Sequence, residues 1–262
     1  MLSQFSVDGD VAIVTGASGG IGKSIAARYA DDGTNVVINS REQERVDAAA
    51  EDIRESDPEG EILPLECDVR DRERVFELID ETVDAFGGVD VLVNNAAGDF
   101  VVDFEEMSEN AWKTIIDINL HGTFHFTQAA GEVMRENGHG YVLNISSVAG
   151  LPGGSPGSAH YGASKAAMIN LTESLSREWD EHGIRVNCIA PGLVATPGVR
   201  TQLGVEVDEL PPREEVERWI GHPEEIADVA QFLVSPAASF ISGETVTVTL
   251  PESRYGERGG HE

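Results

Sequence analysis

Three residue types in the second half of the chain are spaced for proton transfer. Tyr161 and Lys165 stand four residues apart, so on a helix they share a face. Ser147 lies fourteen residues before the tyrosine. A free phenol titrates near ~10 and is a poor acid or base at neutral pH. A neighbouring ammonium favours the phenolate and brings that value down. A serine hydroxyl across a cleft can hold a substrate oxygen. Lysine is scarce in this chain, only Lys23, Lys113 and Lys165 among 262 residues, so its use at this spacing carries weight. A compact ammonium can also release a proton, which a guanidinium cannot. The competing reading is a buried tyrosine and a surface lysine that merely share a helix.

A second constellation opens the chain. The stretch 11–22, VAIVTGASGGIG, is an apolar run that breaks into a turn holding Gly16, Gly20 and Gly22, followed by a helix-forming segment. Glycines let such a turn tighten and let a phosphate approach the backbone. The helix N-terminus then offers free N–H groups to an anion. This outlines a dinucleotide site with G-x-x-x-G-x-G spacing; alone, it could equally be a structural strand-to-helix turn.

The elements that must position these residues follow from periodicity. Apolar β-rich runs fall at 11–15, 35–39, 61–66, 89–94, 140–146, 184–190 and 245–249, with helical patterns at 21–31, 42–55, 71–86, 109–135, 160–181 and 223–234. Such alternation predicts an α/β protein with one doubly wound parallel sheet. The nearly continuous apolar strands predict helices on both faces. One domain over 1–250 is expected, with 191–222 as a substrate lid and 251–262 as a polar tail.

In such a sheet, ligands sit beyond the carboxyl ends of the strands. After the second strand come Ser40 and Arg41, with no acidic residue at 39–41. An arginine there suits the 2′-phosphate of NADP, whereas a carboxylate would suit NAD. NADP(H) is therefore favoured and NAD(H) is the alternative, with Glu42 and Glu44 close by. Asp68 and Val69 are placed to meet an adenine. Asn94, Asn95, Ala96, Ala97 and Gly98 suit close packing against a cofactor, although turn chemistry alone could explain them.

Composition excludes several classes. The chain has 47 acidic and 18 basic residues, a formal charge of −29, which argues against nucleic acid or an anionic membrane as partner. The excess is spread along the chain, and high salt would screen its self-repulsion, so a salt-accumulating, halophilic cytoplasm is expected. No apolar run approaches the ~18–20 residues of a membrane span. The first ten residues do not read as a signal peptide. Cys67 and Cys188 read as buried thiols, consistent with a cytoplasmic location. His121 and His125 share a helix face, but no third ligand is evident, so no metal is expected. His160 adjoins Tyr161 and is a candidate neighbour of the site.

From Phe5 to Val248 the chain resembles the short-chain dehydrogenase/reductase family. The resemblance rests on Thr15-Gly-Ala-Ser-Gly-Gly-Ile-Gly22, Asn94-Asn-Ala-Ala97, Asn119 within Ile-Asp-Ile-Asn-Leu, Ser147, Tyr161-Gly-Ala-Ser-Lys165, and Pro191-Gly192 through Thr196, all in family order. It implies a Rossmann-like domain with Tyr161 as general acid or base, Lys165 lowering its pKa and binding the nicotinamide ribose, and Ser147 on the reacting oxygen. Asn119 is implied to keep a water in the proton relay. Gly16, Ser18, Gly20, Ile21 and Gly22 would line the pyrophosphate turn. Asp68 and Val69 would flank adenine, with Asn94 supporting that end. Pro191, Gly192, Val194 and Thr196 would hold the nicotinamide. A homodimer or homotetramer is implied through the two long helices. The chain departs from the family in its glycine-rich segment LPGGSPGSAH before Tyr161 and in its ending VTVTLPE. The stretch Asn95-Ala-Ala-Gly-Asp-Phe100 is similar to the 2,4-dienoyl- and trans-2-enoyl-CoA reductases. Carbonyl/alcohol chemistry, possible with a 3-oxoacyl thioester, is the first reading. Reduction of a conjugated C=C bond is the second, and a non-catalytic dinucleotide sensor is the rival from another class.

Overall fold

The strands are β1 (Val11–Val14), β2 (Asn35–Ser40), β3 (Ile62–Glu66), β4 (Val91–Asn94), β5 (Gly140–Ile145), β6 (Ile184–Pro191) and β7 (Thr245–Val248). They form one sheet in the order β3-β2-β1-β4-β5-β6-β7, with every pair parallel. This computed structural model describes residues 3–7, 9–206, 210–215 and 218–250. The expected tail at 251–262, and parts of the expected lid, lie outside the described residues.

The helices are α1 (Gly20–Asp31), α2 (Gln43–Arg54), α3 (Arg72–Phe86), α4 (Glu109–Ile116), α5 (Gly122–Asn137), α6 (Ala159–Glu178), α7 (Pro197–Leu203) and α8 (Pro223–Val234). They cover both faces of the sheet. Side chains alternate across a strand, and β1 shows the consequence. Ala12 and Val14 join Ile25 of α1 and Leu233 of α8 in one apolar layer. Ile13 joins Leu78 of α3 and Phe126 of α5 in the other. Each such fully buried aliphatic side chain contributes about 1.5–3 kcal/mol.

Side-chain caps start several helices. Asp71 accepts from the Arg74 N–H at 3.2 Å ahead of α3. Ser108 accepts from Ala111 N–H at 3.1 Å ahead of α4. Thr196 accepts from Val199 N–H at 3.3 Å, and Pro197 occupies the first position of α7. That cap and proline organise part of the segment expected to be an irregular lid, and Val194 pairs with Gly221 as a parallel bridge.

The expected single helix over 109–135 is instead three pieces. Between α4 and α5 the chain widens into a π-turn at Asp117–His121. Asn119 sits in it, completely buried. Its side-chain amide donates to Gly98 O at 3.1 Å and to Ser164 Oγ at 3.0 Å, and its Oδ1 accepts from Gly98 N–H at 2.8 Å. These long-range bonds hold the extra residue of the turn in place.

Cys67 and Cys188 are both free and buried. His121 pairs with Asp117 at 2.8 Å, whereas His125 Nδ1 faces Val69 O at 3.0 Å. Among the described residues, no helix is long and apolar enough to cross a membrane.

Candidate active site

The strand order reverses between β1 and β4, and a cleft of about 520 Å³ opens over their carboxyl ends. At its head is the turn from β1 into α1. Gly16 has φ 64°, and a Cβ there would stand 2.7 Å from Ala96 Cα. Only glycine allows both the conformation and the approach. The Gly16 N–H donates to Asn39 Oδ1 at 3.1 Å, tying the turn to the end of β2. Asn95 ties it to β4: its amide donates to Thr15 O at 2.8 Å and to Gly16 O at 3.1 Å. Ser18, Gly20 and Ile21 line the cleft at the N-terminus of α1.

Two residues expected in the cofactor set do not line the cleft. A Cβ at Gly22 would collide with the Asn95 side-chain nitrogen, so Gly22 lets α1 pack against the loop after β4. Asn94 is buried beneath the cleft, donating to Thr127 Oγ1 and Asn144 Oδ1, both at 2.9 Å.

Ser40 and Arg41 line the cleft beyond β2. Arg45, which the sequence reading missed, lines it too from the start of α2; its place four residues after Arg41 was the available signal. Asp68 and Val69 line the wall beyond β3. The Asp68 carboxylate is engaged by Arg70, with Nη2 to Oδ2 at 2.5 Å, and this hydrogen bonding holds it below the usual carboxylate value. Its oxygens are thus used within the wall.

Ser147, Tyr161 and Lys165 meet at the other end, with Ala96, Pro191, Gly192, Val194 and Thr196 along the same wall. Ser147 stands just past β5 and accepts from the Ala149 N–H at 3.1 Å, leaving its hydroxyl proton to donate. Tyr161 is half-buried on the first turn of α6. Lys165 lies one turn on and is only 1% exposed. Its Nζ stands 5.6 Å from the Tyr161 ring centroid and donates to Ile145 O at 2.7 Å. Asn119 does not line the cleft; it braces its floor between Gly98 and α6.

The electrostatics differ from expectation at this point. The lysine was expected to bring the phenol down. Instead, burial raises the Tyr161 phenol above its ordinary value, against the opposing effect of the Ser147 hydroxyl. Burial also pushes the Lys165 ammonium down to about 8. Desolvation disfavours the charged form of each group, and the Ile145 carbonyl draws the ammonium to itself. A lysine near 8 can hold or release a proton close to neutral pH.

The sequence reading also missed Asp99 and Ser158. They face each other beside Tyr161, with Ser158 Oγ donating to Asp99 Oδ2 at 3.3 Å. His160 is fully buried, and its Nδ1 accepts the Tyr161 N–H at 2.8 Å.

Comparison with known proteins agrees with this geometry. The short chain dehydrogenase family profile matches residues 10–203. The chain is 34% identical to a 3-oxoacyl-acyl-carrier-protein reductase of Thermotoga maritima, covering 92% of this chain and 97% of that one. It is 36% identical to a Bacillus subtilis protein described as a probable 2,4-dienoyl-CoA reductase, covering 90% of this chain and 93% of that one. Among solved structures, 7α-hydroxysteroid dehydrogenase complexed with NADH and 7-oxo glycochenodeoxycholic acid matches with TM-score 0.83 and 31% identity, over 94% of this chain and 95% of that one. The glycine turn, Ser147, Tyr161 and Lys165 all fall within the matched span, and this chain belongs to the short-chain dehydrogenase/reductase family of oxidoreductases.

Proposed function

We propose that the protein transfers a hydride between NADP(H) and a carbonyl or alcohol substrate, with 3-oxoacyl thioesters as the substrate class. The observation that carries this reading is Ser147 and Tyr161 facing the cleft with Lys165 buried behind them. In reduction, Ser147 hydrogen-bonds the substrate oxygen and Tyr161 gives it a proton. Lys165, held near 8, replenishes that proton. Asn119 supports the relay from outside the cleft by bracing the π-turn between Gly98 and Ser164. The similarity to a 3-oxoacyl reductase supports the substrate class.

A dinucleotide suits the cleft, because Gly16, Gly19 and Gly20 line it without side chains and a Cβ at Gly16 or Gly20 would press on Ala96 or Thr196 across the turn. Residues 16–21 would hold the pyrophosphate, Asp68 and Val69 the adenine side, and Pro191, Gly192, Val194 and Thr196 the nicotinamide. When bound, the nicotinamide supplies or accepts the hydride. Arg41 and Arg45 at the same rim support NADP(H) over NAD(H). The segment 191–222 acts as substrate lid on a single catalytic domain in a cytoplasmic, high-salt setting. Exposed Trp112 on α4 and Phe124 on α5 support a homodimer or homotetramer.

Parallel titration with NADPH and NADH in molar KCl tests the cofactor assignment. Tighter NADPH binding that is lost in Arg41→Ala is expected; tighter NADH binding would refute it. Tyr161→Phe should abolish turnover while retaining cofactor affinity, whereas unchanged turnover would sink the proton-transfer role. Reduction of a conjugated C=C bond is a second reading, favoured by the dienoyl-CoA reductase similarity. Product analysis from a 3-oxoacyl-CoA against a 2-enoyl-CoA separates the two.

A further inference from the structure

Proton transfer from Tyr161 requires its ring to be held in place, and two side chains hold its main chain, one at the N–H and one at the carbonyl. Tyr161 is the third residue of α6, so its N–H has no partner within the helix. The residue ahead of a helix ordinarily supplies one from its side chain. Ser158 occupies that position and makes no such bond; its Oγ donates to Asp99 Oδ2 at 3.3 Å instead. The His160 ring takes over, with Nδ1 accepting the Tyr161 N–H at 2.8 Å. On the carbonyl side, Ser164 Oγ donates to Tyr161 O at 2.7 Å and accepts from the Asn119 amide at 3.0 Å. The Gly162 N–H then makes the first ordinary bond of the helix, to Ser158 O at 2.9 Å.

The choice of histidine here is not explained by packing. His160 is completely buried, and its other nitrogen, Nε2, has no hydrogen-bond partner among the described residues. An accepting Nδ1 leaves the ring proton on Nε2, as a buried donor without an acceptor. Such a group is costly, and a leucine would fill the space without it. What the imidazole adds is the Nδ1 lone pair. The loop after β4 keeps the ring in place: the Phe100 ring meets it edge-on with 4.5 Å between centroids, and the Val102 N–H donates to Gly157 O at 2.8 Å.

We propose that His160 is a positioning residue for the proton transfer: its Nδ1 lone pair caps the Tyr161 N–H, and so fixes the first turn of α6 and the direction in which the phenol enters the cleft beside Ser147. A displacement of about 1 Å at a reacting group costs on the order of a hundredfold in rate, so one main-chain bond at this residue bears on turnover. The catalytic consequence rests on the role of Tyr161 proposed above; the bond itself does not.

The test compares three substitutions. His160→Leu removes the acceptor. His160→Gln keeps a polar side chain of similar size, but its amide lies one bond too far out to meet the following N–H. His160→Asn places its Oδ1 where Nδ1 stands. Amide hydrogen exchange, read by NMR at the Tyr161 N–H, reports the bond without any substrate. Exchange should quicken about tenfold in His160→Leu and His160→Gln and stay near wild type in His160→Asn. In parallel, acetoacetyl-CoA reduction is followed at saturating NADPH. In the first two variants kcat should fall roughly 10–100-fold with NADPH affinity and KM within about twofold of wild type, and His160→Asn should recover most of the loss. A merely structural role would lower stability in all three and would not separate asparagine from glutamine. Should His160→Leu fail to fold, the glutamine and asparagine variants carry the comparison. Wild-type kcat in His160→Gln, or His160→Asn as slow as His160→Gln, overturns the proposal, as does unchanged exchange at Tyr161. If wild type reduces no 3-oxoacyl thioester, the carbonyl reading fails and the catalytic consequence with it, while the exchange result still decides whether His160 holds Tyr161.

Discussion

Replacing Lys165 by methionine should make the protein more stable and leave it inactive. The ammonium is buried, with the residue 1% exposed, and burial pushes its pKa from 10.5 to about 8. At about 1.36 kcal/mol per pH unit, the fold carries roughly 3 kcal/mol of penalty for holding that charge at neutral pH. A methionine has similar length, is unbranched and adapts its shape, and the site already contains Met168 at 3.5 Å from Nζ. The lost bond to Ile145 O returns about 1 kcal/mol of that gain. The net is about 2 kcal/mol in favour of the variant, or about 4–8 °C in Tm for a chain of this size. The sign with pH follows from linkage. The folded value is depressed, so between about 8 and 10.5 the unfolded chain binds more protons and wild-type stability rises with pH. The variant lacks this rise, so its advantage should shrink across that window. Thermal unfolding of both proteins, at one protein concentration and in molar KCl, measures the gap from neutral pH upwards. A variant less stable than wild type at neutral pH, or a gap that ignores pH, would refute the reasoning.

Gly22→Ala should cost about 1–3 kcal/mol and weaken dinucleotide binding, because its methyl displaces the Asn95 amide that braces Thr15 and Gly16; unchanged denaturant midpoint and affinity would contradict this. Asn119→Ala should cost about 2–4 kcal/mol in chemical denaturation, since it strips partners from Gly98 and Ser164; a loss under about 1 kcal/mol would mean the π-turn holds itself. Dialysis from molar KCl to low salt should unfold the protein, because the Debye length grows from about 3 Å at 1 M to about 30 Å at 0.01 M and exposes the formal charge of −29 to its own repulsion. Circular dichroism reads the outcome, and a fully folded protein at low salt would remove the case for a halophilic setting.

The sheet was legible because its causes are local. The continuous apolar run of Val11–Val14, the alternation of apolar and polar residues opening β6 and the periodicity of α8 each lie within one short window. The pairing of Tyr161 with Lys165 was legible for the same reason, as one helical turn brings them together wherever the helix is placed. Side chains from distant segments decided the rest. The break at Asn119 depends on Gly98 and Ser164, which no helical pattern over 109–135 reveals. Gly22 reads as a phosphate glycine by spacing, yet Asn95 makes it a packing glycine. The acid–base balance of Tyr161 and Lys165 turns on burial and on Ile145 O, so the direction expected from their proximity reversed for the phenol. Asp99 is read in the sequence only as part of the Asn95–Phe100 stretch, and its bond from Ser158 ahead of α6 is visible only in the fold. Periodicity and spacing in the sequence determined the strands, the helices and the residues able to move a proton. Which groups are desolvated, and which partners face them, was decided only by tertiary structure, because a charge or a polar atom takes its energy from everything packed around it.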